Sequence, residues 1–388
     1  MSATRAKLIN LAVVLISVLI AIIIAEAGAR IFMDNPMYSR FLPSEDKEGI
    51  VSEGVPDAGF YENTPLGKRL KVNANGIVRK HGLTGTDIPL RTNDLGFRGP
   101  PIEYDSRPRV LFLGDSITLG DYLVEENTFV ARVGEMSKDT DRPLQTINAG
   151  VGSIGIEEEL NILRETGHIV EPQIVVLDLY LNDIQASPAL NLIPIPKLLR
   201  WSQIAQHYYQ YKSVKQYEND PNKTTWIPRE VEDSWKAQAA QKYPPVEGGD
   251  WHTDRGAYNK MMVDWFGDWG SSYSDGGQAR ILSFADEIVA VSKSLGAMPM
   301  IVIHPTIFQV ETVYNPNEAQ LAFVEHFNST GVPVLDLLPI MRSKYAADGR
   351  RLFYDHCHHN IEGAQLVAQQ IYPFIINAIK EHGAEYGI

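Results

Sequence analysis

From Arg109 onward, unbroken apolar runs of strand length alternate with helical stretches, and few folds accept that pattern. The runs are "RVLFL", "LQTIN", "PQIVVLDLY", "MPMIVIH" and "VPVLDLL". Between them lie amphipathic stretches such as "GIEEELNILRETG" and "GGQARILSFADEIVAVSKSLGA", and the chain closes with "NIEGAQLVAQQIYPFIINAIKEHG". A strand with one wet face alternates apolar and polar residues. These runs do not, so both of their faces are expected to be covered. Strands linked through helices pair in parallel. The expected core is therefore an α/β sandwich with a parallel sheet. In such sheets, sites lie beyond the carboxyl ends of the strands.

The rest of the chain divides around this pattern. "MSATRAKLINLAVVLISVLIAIIIAEAGAR" sets Arg5 and Lys7 before a mostly apolar run from Leu8 to Ala25, broken only by Asn10 and Ser17. No polar face recurs at helical spacing, which argues against a core helix. The run is about 18 residues, near the lower limit for crossing a bilayer. One reading is a signal anchor over residues 1–33. The other is a cleaved signal peptide, with "AEA" or "AGA" as the small-residue site and a secreted product. The run exceeds the usual signal core of ~7–15 residues, which favours the anchor. In both readings the preceding cations keep the N-terminus cytoplasmic, so the bulk of the chain lies outside. Residues 34–107 read as a linker, "DNPMYSRFLPSEDKEG", followed by a small β-rich appendage of short strands and turns. The α/β region is expected over 108–388, with an insertion at about 190–275. All six tryptophans fall in that insertion, with Tyr208, Tyr209, Tyr211 and Tyr217. Such clustering reads as a small core of its own or as a stacking surface for sugar rings or acyl chains.

Composition removes some classes of function. The net charge is −13 and no basic run appears, so a nucleic-acid partner is not expected. The lone cysteine, Cys357, rules out an intramolecular disulfide.

Chemistry concentrates just past the apolar runs. "VLFLGDSITLG" places Gly114, Asp115 and Ser116 after the first strand, where Ser116 is either a helix N-cap or a nucleophile. This spacing differs from the G-x-S-x-G elbow. A nucleophilic serine needs a base, a group that orients the base, and donors for the developing oxyanion. "LFYDHCHHNIEGAQ" offers Asp355 three residues before His358, close enough to reach the imidazole Nδ1. His356 and His359 flank it, and chemistry alone does not choose among the three. "INAGVGSIGIEEEL" is a glycine-rich loop entering a helix, and "LYLNDI" offers the Asn182 amide with Asp183 as a scaffold. A metal site in "DHCHH" is not expected, because adjacent residues on one loop cannot all face one ion and no second ligand cluster appears. No cofactor is expected. Cys357 reads as a buried, inert thiol.

"FLGDSITLG", "NAGVGSIG", "YLNDI" and "DHCHHN" together resemble the four blocks of the SGNH (GDSL-type) esterase and lipase superfamily, in the same order, over Arg109 to about Ile379. The resemblance implies a flavodoxin-like three-layer α/β/α fold and metal-free acyl transfer. It makes Ser116 the nucleophile and, through its N–H, an oxyanion donor. It makes Asn182 a side-chain donor, His358 the base and Asp355 its orienting acid, and Asn360 fits the family's H-x-N continuation. Two departures stand out. The family's second-block glycine falls at Ser153, five residues after Asn148, with Gly152 before it and Gly155 after, so either Ser153 or Gly152 supplies the N–H. Tyr180 stands where the third block has glycine, and it narrows the pocket or stacks on substrate, beside Asp115 and Asp183 as further binding candidates.

The leading expectation is an ester hydrolase acting on O-acyl groups of an envelope carbohydrate or lipid. The alternatives are an O-acyltransferase with the same triad and a non-catalytic glycan-binding protein.

Overall fold

A computed structural model describes residues 3–32, 47–57, 59–64, 67–184, 193, 195–199, 201–219, 229–313 and 317–388. Most of the expected linker lies outside the described residues, as does Trp226. The chain divides into two units: Met1–Leu42 with Leu190–Lys223, and Pro43–Ala189 with Thr224–Ile388.

In chain order the helices and strands begin with α1 (Ala3–Phe32), β1 (Lys47–Glu53), β2 (Tyr61–Thr64), β3 (Gly67–Leu70), β4 (Ala74–Arg79) and β5 (Ile88–Arg91). The α/β pattern follows with β6 (Arg109–Leu113), α2 (Ser116–Leu119), α3 (Phe129–Ser137), β7 (Gln145–Asn148), α4 (Ile156–Val170) and β8 (Ile174–Tyr180). Then come α5 (Gln203–Asn219), α6 (Arg229–Lys242), α7 (Arg255–Asp264), α8 (Asp275–Ser294) and β9 (Met298–His304). The chain ends with α9 (Ile307–Val310), α10 (Glu318–Thr330), β10 (Val334–Asp336), α11 (Leu338–Asp348) and α12 (Ile361–Tyr386).

The larger unit is built on a five-stranded parallel sheet in the order β10-β9-β8-β6-β7. Every residue of β6, β8 and β9 is buried, as continuous apolar strands require when both faces are covered. Helix α3 packs with α12, and α4 with α8, against the strands. Strand order reverses between β6 and β8, which makes their carboxyl ends the topological switch point, where open α/β sheets bind ligands. Ser116 follows β6 and Asn182 follows β8. Helix α4 departs from the amphipathic expectation: Glu157, Glu158, Glu159, Asn161 and Glu165 are all buried with its apolar residues.

The β-rich segment is joined to the same core. Sheet β1-β4-β5 and hairpin β2-β3 pack Phe60, Leu70, Ala74, Val78, Ile88 and Leu90 around Leu119, the last residue of α2. A buried ion pair, Arg69 Nε to Glu165 Oε2 at 3.0 Å, ties β3 to α4.

In the smaller unit, α1 carries a stretch, Ala12–Ile31, long and apolar enough to cross a membrane. Its Glu26 and Ala29 are buried against α5, while Val13–Leu15 and Val18–Ile20 are exposed.

Candidate active site

The turn after β6 sets the geometry. Asp115 Oδ1 accepts from the Ile117 N–H at 2.8 Å and caps α2, so Ser116 becomes the first residue of that helix. A Cβ on Gly114 would run into Thr118 Oγ1 and crowd Asp178, so only glycine lets the strand turn this closely into the helix. The far end of α2 is fixed by Asn148, whose Nδ2 donates to the Thr118 carbonyl at 2.7 Å. Arg98, wholly buried, donates to the carbonyls of Leu119, Gly120 and Leu123. The serine is thus presented on a short element held at both ends.

The loop before α12 meets it from the other side of the sequence. His358 Nε2 lies 2.8 Å from Ser116 Oγ. His358 Nδ1 lies 2.7 Å from Asp355 Oδ2, and Asp355 Oδ1 accepts from the Cys357 and His358 N–H groups at 2.9 and 2.8 Å. Burial alone would raise the Asp355 carboxyl; the hydrogen bond and charge of His358, with the two N–H donors, hold it well below its ordinary value. Burial alone would lower the His358 pKa; the hydrogen bond and charge of Asp355, with Asp115 and Asp121, raise it instead. The Tyr122 ring packs edge-on against the imidazole at 4.9 Å. A hydroxyl bonded to an imidazole that is itself held by a carboxylate is the arrangement that passes a proton from serine to histidine.

The other two histidines are placed elsewhere. His359 is buried, 5.3 Å from the His304 ring, and burial lowers its pKa well below the usual value. His356 Nε2 pairs with Asp268 Oδ2 at 2.9 Å.

The loop after β7 brings Gly152 and Ser153 to the switch point, where the Val151 N–H donates to the Gly114 carbonyl at 3.1 Å. The Gly152 N–H donates to the Tyr61 hydroxyl, and its carbonyl accepts from Lys68 Nζ at 2.7 Å. Ser153 is exposed with φ +61, and its N–H has no recorded acceptor among the described residues. Of the two, Ser153 has the open donor. Asn182, after β8, is partly exposed, and its Oδ1 is buried with no partner among the described residues.

Three residues expected to bind substrate are buried instead. Asp115 is 3% exposed, and Tyr180 and Asp183 are 0% exposed. Asp183 Oδ2 accepts from the Tyr180 N–H at 2.7 Å, closing the turn that carries Asn182. Tyr180, fully buried, therefore cannot stack on a substrate. Burial pushes the Asp115 carboxyl up to about 6, against the Ile117 N–H and the charges of His358 and His304.

Residues of this one loop do converge, contrary to the expectation from their adjacency in sequence. Ligand atoms of Asp355, Cys357 and His358 do gather within 4.8 Å. Two of those atoms, Asp355 Oδ2 and His358 Nδ1, are spent on each other. Burial, with Asp355 and Asp115 adding to it, pushes the Cys357 thiol well above its ordinary value and keeps it protonated.

A buried network was missed. Thr118 Oγ1 donates to Asp178 Oδ2 at 2.9 Å, and His304 Nε2 lies 3.3 Å from Asp178 Oδ1. The sequence signal was an acid inside the apolar run "PQIVVLDLY" facing a histidine that ends "MPMIVIH". The network anchors α2 to β8 and β9 through Thr118, two residues after Ser116. The aromatic insertion, expected to form a small core or a stacking surface, brings Trp265, 44% exposed, to 5.2 Å from the His356 ring, with Phe308, Trp251 and Trp269 behind it.

No family model matches the chain, and no curated protein matches it. Among solved structures, the chain is similar to an acetyl xylan esterase, with 12% identity over 68% of this chain and 98% of that one and a TM-score of 0.38. It is similar to a member of the lipolytic protein G-D-S-L family from Veillonella parvula, with 11% identity over 68% and 96% of the two chains and a TM-score of 0.36. It is similar to a psychrotrophic esterase from Pseudoalteromonas sp., with 13% identity over 70% and 98% and a TM-score of 0.34. Likeness at this level assigns no activity. The chain resembles SGNH hydrolases through its four motif blocks, each of which stands at or near the switch point of the sheet.

Proposed function

We propose that the chain is a serine esterase of SGNH type that cleaves O-acyl esters, O-acetyl esters among them, through an acyl-serine. The reading is carried by the hydrogen-bonded series Ser116, His358 and Asp355. Ser116 Oγ attacks the ester carbonyl carbon while His358 Nε2 takes its proton. The carbonyl oxygen becomes an oxyanion facing the N–H groups of Ser116 and Ser153 and the Asn182 amide. Collapse breaks the carbon–oxygen bond, and the proton on Nε2 goes to the departing alcohol. Water then attacks the acyl-serine with His358 as base, releasing the acid and restoring Ser116. Asp355 stays ionised throughout and orients the imidazole.

The alcohol half is an envelope carbohydrate or lipid. The exposed face of Trp265 supports a sugar, since indole faces stack on the apolar side of a pyranose and the His356–Asp268 pair next to it offers polar contacts. The chain is anchored through residues 8–25, and Arg5 and Lys7 set the catalytic unit on the extracytoplasmic side. The same platform supports a second reading, O-acyl transfer, in which a bound sugar hydroxyl replaces water.

The test uses the full chain in detergent with p-nitrophenyl esters of increasing acyl length, beside Ser116→Ala. A serine-dependent burst followed by turnover supports the esterase. A burst that turns over only when a sugar acceptor is added supports the transferase. No serine-dependent release from any ester contradicts both.

A further inference from the structure

We propose that residues 195–199 and 201–219 form a second membrane-contacting element, clasped to the anchor helix by Glu26, and that its partner is the phospholipid interface. The proposal rests on the membrane-anchor reading and goes beyond it.

Glu26 sits one residue past the apolar run of α1, yet it is only 7% exposed. Its oxygens accept from the Gln203 N–H at 2.7 Å, from Ser202 Oγ at 2.9 Å and from Arg30 Nε at 3.0 Å. Ser202 Oγ in turn accepts from the Ala205 N–H at 3.1 Å, so the start of α5 is capped by its own serine and by the anchor's carboxylate together. Arg30 completes the clasp, donating through Nη2 to the Trp201 carbonyl at 2.6 Å. A carboxylate this close to a bilayer's apolar core is costly unless paired, and here its partners are Arg30 one turn along α1 and the donors at the start of α5.

The clasp fixes depth. Arg30 lies five residues past Ala25, about 7 Å further along the helix axis, which is within the headgroup layer for a run that ends at the hydrocarbon edge. The residues held there are apolar and exposed: Leu198 at 87%, Trp201 at 61%, and Leu199 and Ile204 at about 40%. Beyond them, Ile204, Tyr208, Tyr211 and Lys215 follow one face of α5 at helical spacing, and the Lys212 ammonium lies 5.7 Å from the Tyr208 ring. Along the chain the exposed residues run from leucines through Trp201 and Ile204 to tyrosines and then lysines. This order matches the passage from acyl chains through the interface to anionic headgroups. In water these side chains would stand as an uncovered apolar patch.

The clasp also bears on processing. Cutting after "AEA" or "AGA" would remove Glu26 together with the apolar run and leave the start of α5 without its carboxylate, so the proposal requires that α1 be retained.

The test uses the full chain reconstituted in phosphatidylethanolamine and phosphatidylglycerol vesicles with brominated acyl chains. Intact mass gives the N-terminus, and the difference in tryptophan quenching between wild type and Trp201→Phe isolates Trp201. The expected result is a retained α1, a quenched Trp201 component, and loss of most of that component in Glu26→Ala. Tryptic cleavage after Lys212 should also rise about tenfold in Glu26→Ala, with Glu26→Gln between the two. A mature chain that begins within residues 26–30 overturns the proposal and the anchor reading together. A full-length, vesicle-bound chain with no quenching of Trp201 overturns the proposal and leaves the anchor standing. Ester hydrolysis, scored separately, bears on neither result.

Discussion

Ser116 reaches His358 across 242 residues of chain, and the hydrogen bond between them sets how the site responds to pH. Only neutral His358 can accept the serine proton. Asp355 raises the His358 pKa, so the acid limb of kcat/KM should have its midpoint above ~6.5, the ordinary histidine value. Asp355→Asn removes that charge. The midpoint should move to lower pH while the plateau falls by about 10³–10⁴-fold. A pH profile of both proteins checks this, and an unmoved midpoint would show that Asp355 does not act on His358. Trp265→Ala should raise KM for an O-acetylated oligosaccharide about tenfold and leave p-nitrophenyl acetate nearly unchanged, because stacking serves the sugar alone. An equal loss on both substrates would make Trp265 a packing residue. The hydrogen-bonded series Ser116, His358 and Asp355 could be picked out in the sequence because each residue stands just past a recognisable strand or before a recognisable helix. The choice between Gly152 and Ser153 could not, since it turns on Tyr61, some ninety residues upstream in a segment read as an appendage.

At the scale of elements, the strands were readable from their unbroken apolar runs, and "MPMIVIH" matches β9 residue for residue. Helix α4 was read in position but not in surroundings. Its acids look solvent-facing by composition, and they are buried because α8, β6 and β3 pack against the helix. Both Glu159 oxygens are buried with no partner among the described residues. Burial, with Asp183 and Asp115 adding to it, raises the Glu159 carboxyl well above its ordinary value. The folded state therefore holds this proton more tightly than the unfolded chain does. Stability from this group is full below the unfolded value of ~4.3 and is lost as pH rises through the folded value. Glu159→Gln keeps the shape and removes the titration. Its Tm should match wild type in acid and exceed it by a few degrees toward pH 8. Calorimetry across that range tests this; a wild-type advantage that grew with pH would contradict it.

For the whole molecule, the parallel sheet and its switch point follow from the alternation of runs and helices, and they explain why residues from four distant blocks meet. The division of the insertion was not legible. Residues 190–223 group with α1, through a glutamate and a serine that carry no motif, while 224–275 group with the sheet and bring Trp265 toward His356. Ser116, His358 and Asp355, the residues proposed to carry the chemistry, lie in the larger unit. Glu26→Ala, which loosens the clasp in the smaller one, should leave kcat on p-nitrophenyl acetate within about twofold of wild type. A large loss would mean that the smaller unit supports the chemistry.

If Ser116 carries the acyl group, a fluorophosphonate should trap it. The full chain is treated with the reagent and the adduct mapped by peptide mass spectrometry, beside Ser116→Ala and His358→Ala. One adduct is expected, on the peptide containing Ser116, absent in the first variant and formed at least a hundredfold more slowly in the second. An adduct on any other residue, or none under conditions that label serine esterases, would contradict it.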